Sequence, residues 1–394
     1  MPVISLYKMK GKMGKHKIIR TSTVATSLNT FCKGFLRELS QEYDVVALSS
    51  SDKDLKEIEE REGVRCIGVS MERHISPVKD FVSLIRLIRI FRREKPRMVH
   101  SITPKAGLLS MIAAWVARVP VRLHTFTGLV FPTSRGVKRR ILMLTDSITC
   151  ACATHIIPEG EGVKSDLLSN GITKKNLRVL GYGNVRGVDM QYYSRTGAVM
   201  DDAAEIRSAL GIGDDKITFL FVGRLVGDKG IKELAEAFTM LQKERDDVRL
   251  ILVGREEPQL DPLDEDTRRI IDVNSAIYKV GEKSDVRPWY AAADALVFPS
   301  YREGFPNVVL EAGALELPSI VTDINGSREI IVEGKNGIIV EPRNTVELHK
   351  AMRLFAQQQQ MLQQMGQCAR SMVAERYEQG FVRQCLKDFY KEVL

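Results

Sequence analysis

Apolar and polar positions alternate along the chain with two periods, and each period predicts one kind of element. Short apolar runs bounded by polar residues, such as Val45-Val46-Ala47-Leu48, are typical of buried strands. Longer segments with apolar positions three and four residues apart predict amphipathic helices. Val78 to Arg93 is the clearest of these, with an apolar stripe that runs from Phe81 to Phe91. Since strands and helices follow one another in turn, we expect α/β domains built on parallel sheets.

The strand–helix alternation occurs twice, and this repetition predicts two Rossmann-like, doubly wound domains. The first series ends with a helix near Ser169, and the second begins with the strand Ile217 to Gly223. Between them, Gly181 to Met200 follows neither period and is interpreted as the linker. We expect the two domains to face a cleft, with ligands at the carboxyl ends of the strands. The predicted bounds are 1–190 for the first domain, 200–377 for the second, and about 378–394 for a last helix that packs back on the first.

Length and composition agree with two domains and narrow the class of protein. The 394 residues exceed one typical domain, and a hydrophobic content of 44% suffices for two cores. The six cysteines are scattered, and the close pair Cys150 and Cys152 lacks the spacing of metal or redox pairs, so we expect reduced thiols. No signal peptide and no run of about 20 apolar residues is visible. Met1 to Lys15 lacks both periods and is expected to be a disordered extension, with Met13 as an alternative start.

Charge is distributed unevenly, which indicates an anionic partner for the first half of the chain. Residues 1–200 hold 33 basic and 17 acidic residues, a net charge of +16, whereas residues 201–394 hold 25 and 33, a net charge of −8. The helix predicted from Val78 carries many of the basic residues beside its apolar stripe. A second basic patch lies at Arg135 to Arg140, after an apolar loop at Phe126 to Phe131. We interpret these features as a peripheral contact with an anionic membrane surface. A nucleic-acid role lacks a recognised motif.

The stretch from Phe298 to Ala312 carries the clearest candidate chemistry. It begins at the end of a predicted strand, continues as a Gly/Pro loop and ends as a helix, with Pro306 near the first helical position. The free N–H groups at such a helix N-terminus favour an anion. Glu303 lies in the loop and Glu311 about one turn into the helix, so acids border the anion site. A ligand with both phosphates and hydroxyls, such as a nucleotide sugar, fits this combination.

A second loop supplies cations at the same predicted sheet edge. Gly223 to Gly230 follows the first strand of the second domain and contains Arg224 and Lys229. This loop matches neither Gly-x-Gly-x-x-Gly nor a P-loop. Arginine can grip a phosphate through two N–H groups, and lysine acts as a point charge, so the pair is suited to a diphosphate.

Together these two stretches resemble the retaining glycosyltransferases of family 4, which have the two-domain GT-B fold. The first half, at His100 to Gly107, resembles the subgroup that builds capsule, O-antigen and other lipid-linked glycans in bacteria. The residues that carry the resemblance in the second half are Phe221 to Leu225, Lys229-Gly230, Glu303 and Glu311 with seven residues between them, Asn325 to Ile331, and Gly334 to Gly337.

The resemblance implies a role for each residue on the donor side. Arg224 and Lys229 bind the donor diphosphate and stabilise the departing nucleoside diphosphate, while Glu303 contacts the transferred sugar and Glu311 the ribose. The remaining donor contacts implied are Gly223, the backbone N–H groups of Asn307, Val308 and Val309 at the distal phosphate, and Arg255, Val280 and Gly281 near the nucleobase.

The acceptor side is less well marked in the sequence. Family members often have a Gly-Gly loop after the first strand, where this chain has Ser22 to Thr26. Ser27 is predicted to cap the following helix. His124 lies where the family often places a functional histidine, and we count it among the catalytic candidates. The acceptor-side candidates are Thr23, Ser27, His100, Lys105 and His124.

The function expected is transfer of a sugar, an N-acetylhexosamine or related hexose, from a UDP-sugar to a polyprenyl-linked saccharide. No cofactor or metal is expected, and Asp264-Glu265-Asp266 is interpreted as a polar surface loop. The expected location is the cytoplasmic face of the cell membrane. Two alternatives share the fold: a UDP-N-acetylglucosamine 2-epimerase, and a non-catalytic sugar-nucleotide-binding partner of a glycan assembly complex.

Overall fold

The first sheet forms in the N-terminal part of the chain. A computed structural model describes residues 14–51, 53–72, 76–257, 259 and 261–394. The predicted extension from Met1 to Lys15 lies outside this part except for its last two residues. The first sheet has the order β3-β2-β1-β4-β5-β6, in which β1 pairs in parallel with β2 and β4, and β2 with β3. Its strands are β1 (Lys17–Thr21), β2 (Asp44–Ser49), β3 (Arg65–Gly68), β4 (Met98–Ile102), β5 (Val121–Phe126) and β6 (His155–Pro158).

Helices connect the strands of the first sheet, as the sequence predicts. They are α1 (Ala25–Cys32), α2 (Phe35–Ser40), α3 (Lys53–Glu62), α4 (Pro77–Glu94), α5 (Pro104–Val116), α6 (Gly136–Cys152) and α7 (Glu161–Ser169), with a 3-10 turn at Phe131–Thr133. Helix α1 begins at Ala25 after Val24, so the predicted cap by Ser27 is wrong. Ser27 lies inside the first turn, where its N–H donates to the Val24 carbonyl.

The second sheet has the order β12-β11-β10-β7-β8-β9, and all of its neighbouring strands pair in parallel. Its strands are β7 (Ile217–Val222), β8 (Val248–Val253), β9 (Ile277–Gly281), β10 (Ala295–Phe298), β11 (Ser319–Thr322) and β12 (Gly337–Val340). The helices are α8 (Gly197–Ala209), α9 (Ile231–Glu244), α10 (Glu265–Val273), α11 (Arg287–Ala291), α12 (Asn307–Ala314), α13 (Ser327–Ile330), α14 (Thr345–Gln357), α15 (Gln359–Tyr377) and α16 (Gln379–Val393), with a 3-10 turn at Gly227–Lys229.

The strand order of the second sheet places the candidate chemistry. The chain builds β7, β8 and β9 toward one edge, then returns to add β10, β11 and β12 on the other side of β7. The order therefore reverses between β7 and β10, and a reversal of this kind opens a crevice at the carboxyl ends of the strands. Both strands are fully buried, and their last aromatic residues, Phe221 and Phe298, stack with ring centroids 5.9 Å apart.

By contact density the described chain separates into two compact units. One contains the residues up to His124 together with Ala151–His155 and Val393–Leu394, and the other contains Thr125–Cys150 and Ile156–Glu392. The α/β prediction with two parallel sheets is confirmed. The domain bounds 1–190 and 200–377, the cleft and the packing of the last helix stay predictions.

Helix α4 buries only part of the apolar stripe that the spacing suggests. Ser83, Leu87 and Phe91 are its buried residues, whereas Phe81 is 63% exposed and Val78 is 78% exposed. The predicted apolar stripe is therefore only partly core: Phe91 is buried, whereas Phe81 lies on the exposed side of the helix. Within the described residues, no helix has both the length and the apolar character needed to cross a bilayer.

Candidate active site

Two loops meet at the reversal point of the second sheet. Strands β7 and β10 are direct neighbours, and each ends in one of the stretches that the sequence singles out. The loops are tied together, since the Tyr301 N–H donates to the Asp228 carbonyl at 2.9 Å. Gly230 has φ +69°, and a Cβ there would collide with the Pro299 carbonyl oxygen, so the approach requires glycine. The basic loop and the acidic stretch thus belong to one site.

Lys229 and Glu303 form an ion pair at the centre of this site. Their side chains retain only 13% and 19% of their exposure, so solvent screens the pair little. The Ser300 hydroxyl donates to the same Glu303 oxygen at 3.0 Å, and the Lys229 ammonium lies 5.5 Å from the Phe298 ring centroid. A predicted phosphate-binding cation and a predicted sugar-binding acid are therefore in direct contact.

Arg224 and Arg255 share a carboxylate that the sequence analysis did not select. Glu257 accepts from Arg224 Nη1 at 2.6 Å and from Arg255 Nη2 at 3.3 Å. The hydrogen bond from Arg224 lowers the pKa of Glu257 and keeps it ionised. Glu257 lies in a loop after β8 with no recognisable motif around it, so the sequence offers no sign that it belongs to the site. Glu257 aligns the two arginines that were predicted for the donor.

Helix α12 begins at Asn307, directly after Pro306. Proline has no side-chain acceptor, so the first N–H groups of the helix receive no cap from it. The Asn307 side chain is itself held, because its Oδ1 accepts from Asn184 Nδ2 at 3.1 Å. The Val309 N–H donates to the Pro306 carbonyl at 3.1 Å. The anion site at Asn307, Val308 and Val309 stays a prediction.

Glu311 is buried and contacts neighbouring polar side chains through both of its carboxylate oxygens. It is 6% exposed, and Arg186 Nη2 lies 3.0 Å from its Oε1 while the Tyr290 hydroxyl donates to its Oε2 at 3.2 Å. Burial raises the pKa of Tyr290, so this phenol remains a donor. Arg186 belongs to the segment interpreted as a featureless linker, and a lone cation beside the linker glycine Gly187 was the only signal for it.

A third carboxyl, Glu159, lies near Glu303 and Glu329. It directly follows β6, is 2% exposed, and its Oε1 has no hydrogen-bond partner among the described residues. Burial raises its pKa well above the usual range, and the charges of Glu303 and Glu329 add to the effect. Glu329 in turn accepts from the N–H groups of Glu161 and Gly162, at 2.7 and 3.0 Å, at the start of α7. No sequence pattern links these residues.

The acceptor-side candidates are held by neighbours of their own. His124 is 1% exposed and shares a 2.8 Å hydrogen bond with Ser101, and burial lowers its pKa to about 3, so the ring is neutral at ordinary pH. Burial also lowers the pKa of His100, with the nearby Arg20 charge adding to it. Lys105 pairs with Asp80 at 2.8 Å. The Thr23 hydroxyl contacts that of Thr103 at 2.8 Å.

The remaining predicted residues are placed as follows. Val280 and Gly281 form the end of β9, the Gly281 carbonyl accepts from the Gly254 N–H at 2.9 Å, and Gly223 has φ +153° at the end of β7. Asp264-Glu265-Asp266 is exposed, but it is a helix start rather than a loop: the Asp264 side chain caps α10 by accepting from the Thr267 N–H at 2.7 Å.

Two parallel six-stranded sheets, with a basic loop and an acid pair at the reversal point of the second, define the GT-B class of glycosyltransferases. Comparisons with known proteins agree with this class. The family described as "Glycosyl transferases group 1" matches residues 202–372, and "Glycosyl transferase 4-like domain" matches residues 28–183. The first relative is the capsular polysaccharide biosynthesis glycosyltransferase CapM of Staphylococcus aureus, 30% identical over 386 residues, which are 97% of this chain and 98% of that protein.

Another relative is the UDP-Gal:alpha-D-GlcNAc-diphosphoundecaprenol alpha-1,3-galactosyltransferase of Escherichia coli, 28% identical over 273 residues, 68% of each chain. Among solved structures, Anabaena Alr3699/HepE in complex with UDP superposes with a TM-score of 0.78 at 16% identity, over 96% of this chain and 100% of that one, which shows a shared fold. The chain belongs to the group 1 glycosyltransferases, the family-4 glycosyltransferases of GT-B fold. The resemblance predicted from the sequence is confirmed.

Proposed function

We propose that this glycosyltransferase moves a sugar, an N-acetylhexosamine or related hexose, from a UDP-sugar to a polyprenyl-linked saccharide in bacterial polysaccharide biosynthesis. The observation that carries the proposal is the junction of the Arg224/Lys229 loop with the N-terminus of α12, flanked by Glu303 and Glu311. The names of the two relatives support it, since one belongs to capsule biosynthesis and the other names a UDP-sugar and a lipid-linked acceptor.

The donor diphosphate is the group that this site is suited to stabilise. Lys229 and Arg224 supply positive charge. The N-terminus of α12 adds the partial positive charge of its first N–H groups, which also favours an anion. Negative charge grows on the diphosphate as the bond to the sugar breaks, so these groups act most strongly in the transition state. A phosphate that binds Lys229 shares this cation with Glu303, which leaves Glu303 positioned beside the sugar.

Retention of the anomeric configuration follows from front-face attack, in which the departing phosphate takes the proton of the acceptor hydroxyl. This route requires no protein base. His124 is kept as the candidate for orienting the acceptor, and its pKa of about 3 makes its ring neutral at ordinary pH. Thr23, Ser27, His100 and Lys105 are kept as acceptor-side candidates.

The reaction is proposed to be independent of metal. Within the described part of the chain, no three or more His, Cys, Asp or Glu side chains are grouped as metal ligands. The charge of Lys229 and Arg224 replaces that of a divalent cation on the diphosphate. An excess of EDTA should therefore leave the transfer rate unchanged.

A screen of donor nucleotides tests the proposed substrate class. Since a ligand that binds only the folded protein raises the melting temperature, UDP and one UDP-sugar should stabilise the protein more than GDP- and TDP-sugars do. The screen is repeated with EDTA present. Equal stabilisation by all nucleotides, or none by UDP-sugars, would contradict a UDP-sugar donor.

The lipid-linked acceptor implies contact with a membrane surface at the inner face of the cell membrane. Helix α4 exposes Val78 and Phe81 together with Arg86 and Arg89, a combination typical of interfacial helices. Each basic residue close to an anionic leaflet contributes about 1 kcal/mol, and salt screens this attraction.

We therefore expect the protein to co-sediment with phosphatidylglycerol vesicles at low salt. It should be released in 1 M NaCl, where the Debye length falls to about 3 Å and the attraction between the charges is screened. Phe81→Ser should weaken the low-salt binding. The control Val273→Ser changes an apolar residue on α10 that is more exposed, 76% against 63% for Phe81, and should have no effect. The proposed membrane contact would be contradicted if high salt did not reduce the binding. It would also be contradicted if Phe81→Ser left the binding unchanged.

Family membership favours transfer over the two alternatives. Incubating the donor without acceptor separates them, because a 2-epimerase converts the UDP-sugar by itself. A non-catalytic partner would bind the donor and transfer nothing when acceptor is present.

A further inference from the structure

Arg186 lies in the segment between the two sheets, and its side chain forms an ion pair with Glu311, a proposed donor-binding acid. Its guanidinium Nη2 lies 3.0 Å from Glu311 Oε1, and its side chain is only 25% exposed. Most surface ion pairs are exposed and contribute little, so a largely buried pair at a functional carboxylate calls for an explanation.

The backbone around Arg186 is fixed on both sides. Asn184, which is 2% exposed and has φ +60°, accepts from the N–H groups of Arg186 and Gly187 at 2.9 and 2.6 Å. Its amide also donates to Asn307 at the start of α12. On the other side, the Val188 N–H donates to the Tyr377 carbonyl at 2.8 Å. These hydrogen bonds fix the backbone of the segment, so the Arg186 side chain is held beside Glu311.

The bonding capacity of Glu311 shows what this pair leaves available. An ionised carboxylate accepts about four hydrogen bonds. Arg186 and Tyr290 use one site each, and the Tyr193 hydroxyl interacts with both Glu311 and Arg186. About one accepting site of the carboxylate therefore remains, and its direction is set by the three partners. One hydroxyl donor from a ligand fits this site.

We propose that Arg186 is a positioning residue of the donor site, which orients the Glu311 carboxylate so that it accepts a hydrogen bond from one ribose hydroxyl. The inference rests on the proposed function, since it assigns Glu311 to the ribose of a UDP-sugar. It goes further in two ways: it brings the inter-sheet segment into the donor site, and it limits Glu311 to a single ribose hydroxyl.

A purely structural ion pair would make a different prediction. Removing such a pair lowers stability, but the protein that remains folded still distinguishes ribose from deoxyribose as before. A positioning role changes this discrimination, because a misdirected carboxylate no longer accepts a well-aligned hydrogen bond from the ribose hydroxyl. The ratio of two affinities in one variant is independent of the fraction that has unfolded.

The experiment measures binding of UDP, 2′-deoxy-UDP and 3′-deoxy-UDP by calorimetry. For the wild-type protein we expect UDP to bind at least tenfold more tightly than one of the deoxy nucleotides and about equally to the other. In Arg186→Met the tenfold preference should fall below threefold. The matched control Arg178→Met breaks an exposed pair, Arg178 with Glu392 at 54% and 59% exposure, and should keep the wild-type ratio.

Each outcome has a defined meaning. A tenfold preference that persists in Arg186→Met overturns the positioning role, while the proposed function stands. If the wild-type protein binds all three nucleotides equally, the inference is also overturned, because Glu311 then accepts no hydrogen bond from a ribose hydroxyl. No UDP binding by the wild-type protein overturns the proposed function and the inference with it. If Arg186→Met does not fold, Arg186→Gln carries the same test with the same threshold.

Discussion

Lys229→Ala is expected to lower kcat/KM for transfer by about 100-fold, the range seen when one preorganised group that stabilises transition-state charge is removed. Two effects add. The departing diphosphate loses its nearest proposed cation, and Glu303 loses the ion-pair partner that fixes its carboxylate. The loss should appear in kcat as well as in KM, because the charge of the leaving group is greatest in the transition state.

The control for this variant is Lys232→Ala, which removes an exposed lysine three residues further along, on α9. Its transfer rate should stay within twofold of the wild type. Steady-state kinetics with the preferred UDP-sugar, together with a circular dichroism spectrum to verify the fold, provides the measurement. Near-normal turnover by folded Lys229→Ala protein would remove this loop from the active site.

Glu311→Ala is expected to destabilise the protein by about 3 kcal/mol, the lower end of the cost of removing one member of a buried ion pair. Arg186 would keep a largely buried charge without its carboxylate, and Tyr290 would lose its acceptor. We place the value at the lower end because a quarter of the Arg186 side chain remains exposed. Donor affinity should fall as well, by at least tenfold.

Thermal and urea unfolding measure the first effect, and calorimetry with UDP measures the second. Glu392→Ala is the control, since it also removes the glutamate of an Arg–Glu pair but at an exposed position. It should change stability by less than about 1 kcal/mol. If both alanine variants melt together with the wild type, the Arg186–Glu311 pair contributes nothing and its buried arrangement is wrong.

The fold could be predicted because its signals are local. Apolar runs such as Ile217 to Val222 and the helical spacing of segments such as α9 need no knowledge of the rest of the chain. The same locality explains the errors at α1 and α4. Whether Ser27 caps a helix, or Phe81 joins the core, depends on where the neighbouring turn begins and on what packs against it, and the periodic pattern contains neither.

The contacts within the candidate site could be predicted only in part for a similar reason. Arg224, Lys229, Glu303 and Glu311 lie in stretches whose spacing and turn chemistry are visible in the sequence. Arg186 and Glu159 lie near acids that are far away in the chain, and Glu257 joins Arg224 of another loop to its own neighbour Arg255. Arg186 and Glu311 are separated by more than a hundred positions. No periodic or motif signal links such pairs, because only the folded backbone brings them together.

The structure also changes the picture of the site's charges. Each predicted cation on the donor side has a carboxylate partner: Lys229 has Glu303, and Arg224 and Arg255 share Glu257. These partners hold the cations at defined positions, which reduces the rearrangement needed when a diphosphate binds. They also moderate the local positive charge, so the proposed UDP-sugar would need its sugar and ribose contacts as well as its phosphates for tight binding.

The central claim is that the site on the second sheet transfers a sugar from a UDP-sugar with retention. It is tested most directly by analysing the product formed from the UDP-sugar that stabilises the protein most, with a polyprenyl-diphosphate saccharide as acceptor. Proton NMR of the purified product gives the anomeric configuration of the new linkage. We predict the configuration of the donor, with one UDP released per linkage formed. An inverted linkage, or UDP release without a glycosylated lipid, would contradict the account.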